Sequence, residues 1–358
     1  MTSAASRVFV INPGSTSTKL ALFAGAKAVF DIELSHPRKT IEAFDSVMAQ
    51  AGLRRAAALG ALADHGVDLA EVDLFVGRGG LLRPVPSGAF RINKRMLADL
   101  RSAKYGQHAS NLGAVLAWEL AREHRKPSFI ANPVVVDELW DVARVSGLPD
   151  LPRQCPFHAL SHKAVAAKAA ARLGKPYSRC NLIVAHLGGG ITIGAHRRGR
   201  VVDVNHGLHG EGPFTPERSG AIITLDFYRY GLEKGLSLAE ATKLLTRRAG
   251  LVAHLGTNDC RKIEANAAAG NKKHALVYDA LIYQVAKQIG AMAAAMSGKV
   301  DAIVLTGGMV RGKRLVARLR RMISFIAPVQ VILGNSEMQA LAAAALDVVT
   351  GKCEARIY

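Results

Sequence analysis

The sequence predicts an α/β protein built from two duplicated domains with a cleft between them. Three observations carry that prediction. VFVINPGSTSTKLALF, residues 8–23, sets two short apolar runs around a polar loop, Asn12–Lys19. LIVAHLGGGITIGAH, residues 182–196, repeats the arrangement about half the chain later, with glycines in place of hydroxyls. AIVLTGGMVRGK, residues 302–313, is a third apolar strand running into a glycine pair. Self-similarity over half a chain reads as duplication of one strand–loop–strand unit.

The elements follow in order. Residues 41–63 carry helical apolar spacing that ends before His65-Gly66. Leu74–Val76 is a short buried strand entering Gly77-Arg78-Gly79-Gly80. Residues 111–122 read as a helix, and 129–131 and 134–136 as apolar strands, the second running straight into Asp137. Residues 144–157 (RVSGLPDLPRQCPF) hold three prolines and a glycine and form the expected domain junction. An Ala-rich helix over 158–173 stops at Gly174 and Pro176; another spans about 275–297, and a last one 336–350. The domains are expected as 1–150 plus 336–358, and 151–335.

Half of the 358 residues are apolar, 49%, which allows a sizeable core in each of two domains. The 47 basic against 28 acidic residues give a net charge of +19. The basic residues occur as scattered pairs such as Arg54-Arg55 and Arg247-Arg248, which read as a solvated surface and argue against a specific nucleic-acid partner. A positive field also attracts phosphorylated or carboxylate substrates. Cys155, Cys180, Cys260 and Cys353 form no CxxC pair, so a zinc ribbon and a redox motif are excluded. No apolar run reaches the ~18 residues of a membrane span, and the N-terminus lacks a long apolar segment; a cytoplasmic protein without membrane contact is expected.

Phosphate binding needs backbone N–H groups, hydroxyls and positive charge brought together. Gly188, Gly189 and Gly190, with Thr192, satisfy the first two, and Gly307 and Gly308 repeat the pattern; each alone is also an ordinary tight turn. GGMVRGKR misses a P-loop because Arg314 stands where Ser or Thr would meet magnesium. No strand leads into GxGxxG, which disfavours a dinucleotide fold.

Arg78 sits between glycines after a strand, as a ligand clamp or a surface arginine. Asp137 is a cleft-facing carboxylate or a helix N-cap. His186 ends a strand, as a phosphate donor or a core histidine. His158 and His162 lie four apart, on one face of a helix, without the third ligand that zinc needs.

The motifs NPGSTSTK, GRGG, VVVDE, FHALSHK, VAHLGGGITIGAH, HGEGPFTPERSG and LTGGMVRGK together resemble the acetate kinase family, its butyrate-directed branch in particular. That family lies within the acetate and sugar kinase, Hsp70 and actin superfamily. The likeness runs from about residue 8 to about residue 350. It implies two ribonuclease H-like (actin-like ATPase) domains, ATP/ADP and Mg2+ as cofactors, and transfer of a γ-phosphoryl group to butyrate, reversibly forming an acyl phosphate. Acetate, propionate and branched acids are alternative acceptors, and a non-catalytic ATP-binding protein on the same scaffold is the alternative of another class.

By the same resemblance Arg78 clamps carboxylate and phosphoryl, Arg218 and His158 hold the transferring group, and Asp137 is the catalytic aspartate near magnesium. Asn12 lies near magnesium and acceptor, and Glu337 helps place the metal, partly through water. Ser15, Ser17 and Lys19 orient phosphates or satisfy their own loop. Asp259 and Arg261 lie on the nucleotide side, and Gly307 and Gly308 receive the adenosine. A homodimer or larger homo-oligomer is implied. Two departures stand beside the expected site and bear on acceptor choice: Ser161-His162 where many members carry Asn-Gln, and His206 and His209 where Asn and Asp are usual.

Overall fold

The computed structural model describes residues 5–333 and 337–358. The chain divides into two compact units, Met1–Val136 with Asn335–Tyr358, and Asp137–Gly334.

In the first unit β1 (Arg7–Pro13), β2 (Ser17–Ala24) and β3 (Lys27–Ser35) form an antiparallel meander. β4 (Leu74–Gly77) and β6 (Ser128–Ala131) continue it in parallel on the other side of β1, and β5 (Ala89–Arg91) and β12 (Arg356–Ile357) complete the edge. The order among the described residues is β12-β5-β6-β4-β1-β2-β3. β1 is buried almost end to end because helices cover both faces of the sheet. Phe9 meets Phe30 and Phe75 edge-to-face at 6.3 and 6.2 Å, and Ile11, Leu20 and Leu22 join the same core. Each such fully buried side chain contributes about 1.5–3 kcal/mol. The C-terminal helix Glu337–Val349 packs on β1, β2 and β4, which carries Glu337 to the end of β1.

The second unit repeats the plan. β7 (Asn181–Leu187), β8 (Ile191–Arg197) and β9 (Arg200–Val204) form the meander, and β10 (Ala302–Thr306) and β11 (Val329–Val331) run parallel beyond β7. The order β11-β10-β7-β8-β9 matches β6-β4-β1-β2-β3 strand for strand. Helix Ala159–Arg172 lies on β7 and β10, and helix Lys272–Ala295 on β8. No helix among the described residues is long and apolar enough to cross a membrane.

Four expectations change. Residues 134–136 are a turn with a single bridge, Val85 to Val136, and not a strand. Pro133 has no N–H for a ladder, and its carbonyl accepts from Val136 N at 3.0 Å, which closes the turn. The division between units falls at Val136/Asp137, ahead of the proline-rich stretch. Arg153 stitches that stretch to the second unit through Ala143 O (2.6 Å), Asp203 Oδ1 (3.1 Å) and Glu211 Oε1 (3.0 Å). The helix expected over 41–63 runs Ala51–Asp64, because Ser46 Oγ accepts from Ala49 N at 3.2 Å and restarts the chain there. Arg54, read as surface charge, is fully buried.

Candidate active site

In the first unit the functional groups gather where β1 and β4 end. Asn12 Nδ2 donates to Glu337 Oε2 at 2.9 Å, and Arg78 Nη1 lies 2.7 Å from Glu337 Oε1. That second contact is a charge contact without a directed hydrogen bond. Arg78 is held by its backbone: its N–H donates to Ile11 O at 2.9 Å. The flanking glycines are packing residues, since a Cβ on Gly77 would lie 2.1 Å from Gly113 O and one on Gly80 2.4 Å from Asn111 Oδ1. They let the Arg78 loop press onto the start of helix Asn111–Glu123.

The loop hydroxyls divide by face. Ser17 and Lys19 point the same way as Asn12, and both meet Glu33: Ser17 Oγ donates to Oε1 at 2.7 Å, and Lys19 Nζ lies 3.7 Å from Oε2. Thr18 is buried on the opposite face, against His36 Nε2 at 2.8 Å. Ser15 is exposed at the tip. Arg54 holds the loop from beneath, donating to Ser17 O (2.7 Å), Thr18 Oγ1 (3.0 Å) and Ser15 O (3.2 Å), with Gln50 Oε1 orienting the guanidinium.

In the second unit the candidate groups gather around the glycine loop after β7. A Cβ on Gly190 would lie 2.2 Å from Arg218 Nη1, so the missing side chain makes room for that guanidinium. Arg218 Nη1 donates to Gly207 O. Thr215 joins the two loops: its Oγ1 donates to Gly189 O at 2.7 Å and accepts from Arg218 N at 3.0 Å. Burial lowers the pKa of Arg218, against the charge of Glu217, and it remains a cation at neutral pH. Gly307 has φ +93° and a Cβ there would strike Leu187 O at 2.3 Å, so glycine is obligatory. Gly189 and Gly308 differ: no described heavy atom lies within 4 Å of where a Cβ would sit, which leaves the backbone open to a ligand.

Beside this loop lies a histidine cluster. His158 stacks on His186 with centroids 4.0 Å apart, and its Nδ1 is 2.8 Å from Thr192 Oγ1. His186 Nδ1 is 2.9 Å from Ser161 Oγ. His162 faces Thr192 from the other side and reaches His196, which reaches Tyr177. His158 is the N-cap of helix Ala159–Arg172 and not a residue on its face, and the Thr192 hydroxyl meets both its ring and that of His162. Burial, then the charge of His186, pushes His162 down to about 3. His206 Nδ1 accepts from Leu208 N and His209 N, each at 3.1 Å, and burial followed by the charge of His209 brings it down to about 4.

Asp137 is neither strand-borne nor a helix cap. Both its oxygens meet the Arg144 guanidinium, at 2.7 Å between Nη2 and Oδ1, and Oδ1 also accepts from Leu139 N at 3.2 Å. Burial raises its pKa, but the Arg144 and Leu139 hydrogen bonds outweigh that and hold it below the usual carboxylate value. Asp259 caps helix Cys260–Ala268 by accepting from Arg261 N at 3.0 Å, and the Arg261 side chain is exposed.

Hard oxygen donors of the kind magnesium takes are carried by Asn12 and Glu337 in the first unit and, in the second unit by itself, by Asp137, whose two oxygens meet Arg144. Among the described residues no three His, Cys, Asp or Glu side chains lie together as a metal cage. Arg54, Arg144 and His196 were missed in the sequence as site residues, and Thr192 was read there as a phosphate-loop hydroxyl and not as the link between two histidines. The HxxxH and VAHLGGGITIGAH spacings carried a signal for the last two.

The profile of the Acetokinase family matches residues 150–326. The chain is 46% identical to a probable butyrate kinase of Enterococcus faecalis, over 98% of this chain and 97% of that one. It is 42% identical to butyrate kinase 1 of Clostridium acetobutylicum, over 98% and 99%. Its fold is similar to the crystal structure of Porphyromonas gingivalis acetate kinase, with TM-score 0.77 and 22% identity over 97% and 99% of the two chains. A propionate kinase from Francisella tularensis follows at TM-score 0.73 and 20% identity, over 95% and 98%.

Proposed function

The chain belongs to the acetokinase family, among its butyrate kinases, and from that premise we infer that it transfers the γ-phosphoryl of ATP reversibly to the carboxylate of butyrate. The fold is the duplicated ribonuclease H-like, actin-like ATPase architecture. A carboxylate oxygen attacks the γ-phosphorus, the bond to the β,γ-bridging oxygen breaks, and butanoyl phosphate and ADP result.

The observation that supports the reading best is the Arg218 guanidinium set against Gly190 at the glycine loop. Phosphoryl transfer between two anions requires positioning and charge stabilisation and little covalent chemistry. Arg218 and His158 are proposed to hold the transferring phosphoryl, and Arg78 the acceptor carboxylate. A fork that binds two oxyanion oxygens at once explains arginine in place of lysine. The open backbone at Gly189 and Gly308 is proposed for ATP, with His186 and Gly188 at the phosphates and Asp259 and Arg261 on the nucleotide side. Asn12, Asp137 and Glu337 would hold magnesium, partly through water, and the ion would neutralise charge on the phosphate oxygens. Ser15, Ser17 and Lys19 serve the β1–β2 hairpin that carries Asn12.

A homodimer or larger homo-oligomer is proposed as the working form. Helices Thr224–Glu233 and Leu238–Arg247 contain no buried residue, and they leave Ile223, Leu225, Tyr228, Leu232 and Leu238 exposed. With ATP as donor, the cytoplasm is the proposed compartment.

The test is incubation with ATP and Mg2+ across acetate, propionate, butyrate, isobutyrate and valerate, with the acyl phosphate trapped by hydroxylamine. Hydroxamate from butyrate is expected. Neighbouring acids should react within about 10–200-fold, because one methylene changes binding by only ~1–3 kcal/mol. No hydroxamate from any acid would overturn the assignment.

A further inference from the structure

We propose that Thr192, His162 and His196 are positioning residues that fix the His158 imidazole with its hydrogen on Nε2 and its Nδ1 as an acceptor. The consequence for phosphoryl transfer rests on the role of His158 given above.

The direction of the relay follows from one backbone oxygen. His162 Nε2 lies 3.2 Å from Thr192 O and 2.9 Å from Thr192 Oγ1. A carbonyl oxygen only accepts, so His162 carries its hydrogen on Nε2. The ring is fully buried and neutral, so Nδ1 is bare and accepts. Its neighbour at 3.2 Å is His196 Nε2, which therefore donates. His196 Nδ1 is then the acceptor and takes the Tyr177 hydroxyl hydrogen at 2.6 Å. His196 is also fully buried, and burial holds its pKa well below the usual imidazole value.

The other end follows from the same logic. Thr192 Oγ1 receives the His162 hydrogen and directs its own toward His158 Nδ1, 2.8 Å away. A ring that accepts at Nδ1 bears its hydrogen on Nε2. The opposite chain, from His158 to Tyr177, would set the bare His162 Nε2 against the Thr192 carbonyl, two lone pairs facing at 3.2 Å. The ring plane is set as well, by the 4.0 Å stack on His186, whose Nδ1 is in turn tied to Ser161. A buried partner that fixes one tautomer of a histidine is a known device for aiming the other nitrogen.

The test begins with the full chain labelled with 15N-histidine, imidazole nitrogens correlated to ring carbon protons, and the His158 signals identified by their loss in His158→Gln. A protonated Nε2 and bare Nδ1 at His158 are expected. In Thr192→Val the His158 signals should shift to a mixture of tautomers. The kcat with butyrate should then fall on the order of 10–100-fold, less than the ~10⁴ seen when a carboxylate that fixes a histidine tautomer is lost, with KM for ATP little changed. His162→Gln keeps a donor at the Nε2 position and should behave like wild type, whereas His162→Leu should behave like Thr192→Val.

A hydrogen on Nδ1 in the wild-type spectrum would overturn the proposal, and that result needs no variant to fold. So would an unchanged His158 tautomer in both Thr192→Val and His162→Leu. An unchanged kcat in His158→Gln would refute the catalytic reading of His158 and leave the tautomer assignment standing, so the two failures are distinguishable.

Discussion

Arg54→Met removes a side chain that ties residues 14–18 to the helix beneath them by three bonds at once. Arg54 is fully buried and donates to Ser15 O, Ser17 O and Thr18 Oγ1, oriented by Gln50. Methionine fills much of the space and supplies no donor. Ser17 O keeps the Gly14 N–H at 2.8 Å and Thr18 keeps His36, so these two acceptors lose one bond each. Ser15 is exposed, and water can replace its lost bond in part. Hydrogen bonds to a charged group contribute about 1.5–3 kcal/mol each, and relief of the guanidinium's desolvation offsets part of the loss, which leaves about 2–4 kcal/mol. At about 2–4 °C per kcal/mol for a unit of this size, Tm falls by about 4–16 °C. Thermal unfolding followed by circular dichroism measures the shift, and the hydroxamate assay should show a parallel loss of turnover because the same hairpin carries Asn12 at the end of β1. A surface arginine would change stability by no more than about 0.5 kcal/mol. A Tm within about 1 °C of wild type, the shift such a change would give, would refute the buried-clamp argument.

Other outcomes follow from the second unit. Gly190→Ala puts a Cβ where Arg218 Nη1 now lies, so turnover should collapse as in an Arg218 variant; Gly189→Ala meets nothing and should fold normally, with its effect confined to KM for ATP. Equal effects of the two alanines on kcat would contradict the division of roles within the loop. Arg218→Lys keeps the charge and loses the fork, and kcat should drop by about 10²–10³ with ADP affinity retained, read by calorimetry. Arg144→Gln should be less stable than wild type at pH 7. Because Asp137 is depressed in the folded state, its contribution is fully present above the ordinary carboxylate pKa. The gap between the two proteins should close as pH falls through the folded value. Denaturant midpoints at pH 7 and in the acid range check this, and a gap constant with pH would refute it.

The duplicated frame was legible in the sequence because it is written in local patterns. The apolar runs at 8–11, 182–187 and 302–306 became β1, β7 and β10, each ending at the loop that had been singled out. Those runs needed only their own hydrophobicity and the glycines that stop them. Of the four misread features, Arg54 and the 144–157 stretch depend on partners far along the chain. Arg54 looked like half of a surface pair, and its acceptors lie 37 and 39 residues away. Val134–Val136 has the composition of a strand, and Pro133 with a short turn overrides it. The prolines of 144–157 suggested a linker, and Arg153 binds them into the second unit.

The candidate site divides in the same way. Sequence motifs found the glycines, and only geometry separates those that make room for protein, Gly190 and Gly307, from those left open, Gly189 and Gly308. Asp137 was found by its motif, and its Arg144 partner, seven residues on, was not. The four-residue spacing of His158 and His162 was visible, but the hydroxyl of Thr192 that joins them comes from a strand 30 residues after His162.

The most direct measurement of the central claim runs the reaction backwards. The enzyme with Mg2+, ADP and synthetic butanoyl phosphate should form ATP in step with loss of acyl phosphate, and Arg218→Ala should bind ADP yet form none. The absence of ATP with the wild-type enzyme, or full ATP formation by Arg218→Ala, would contradict the account.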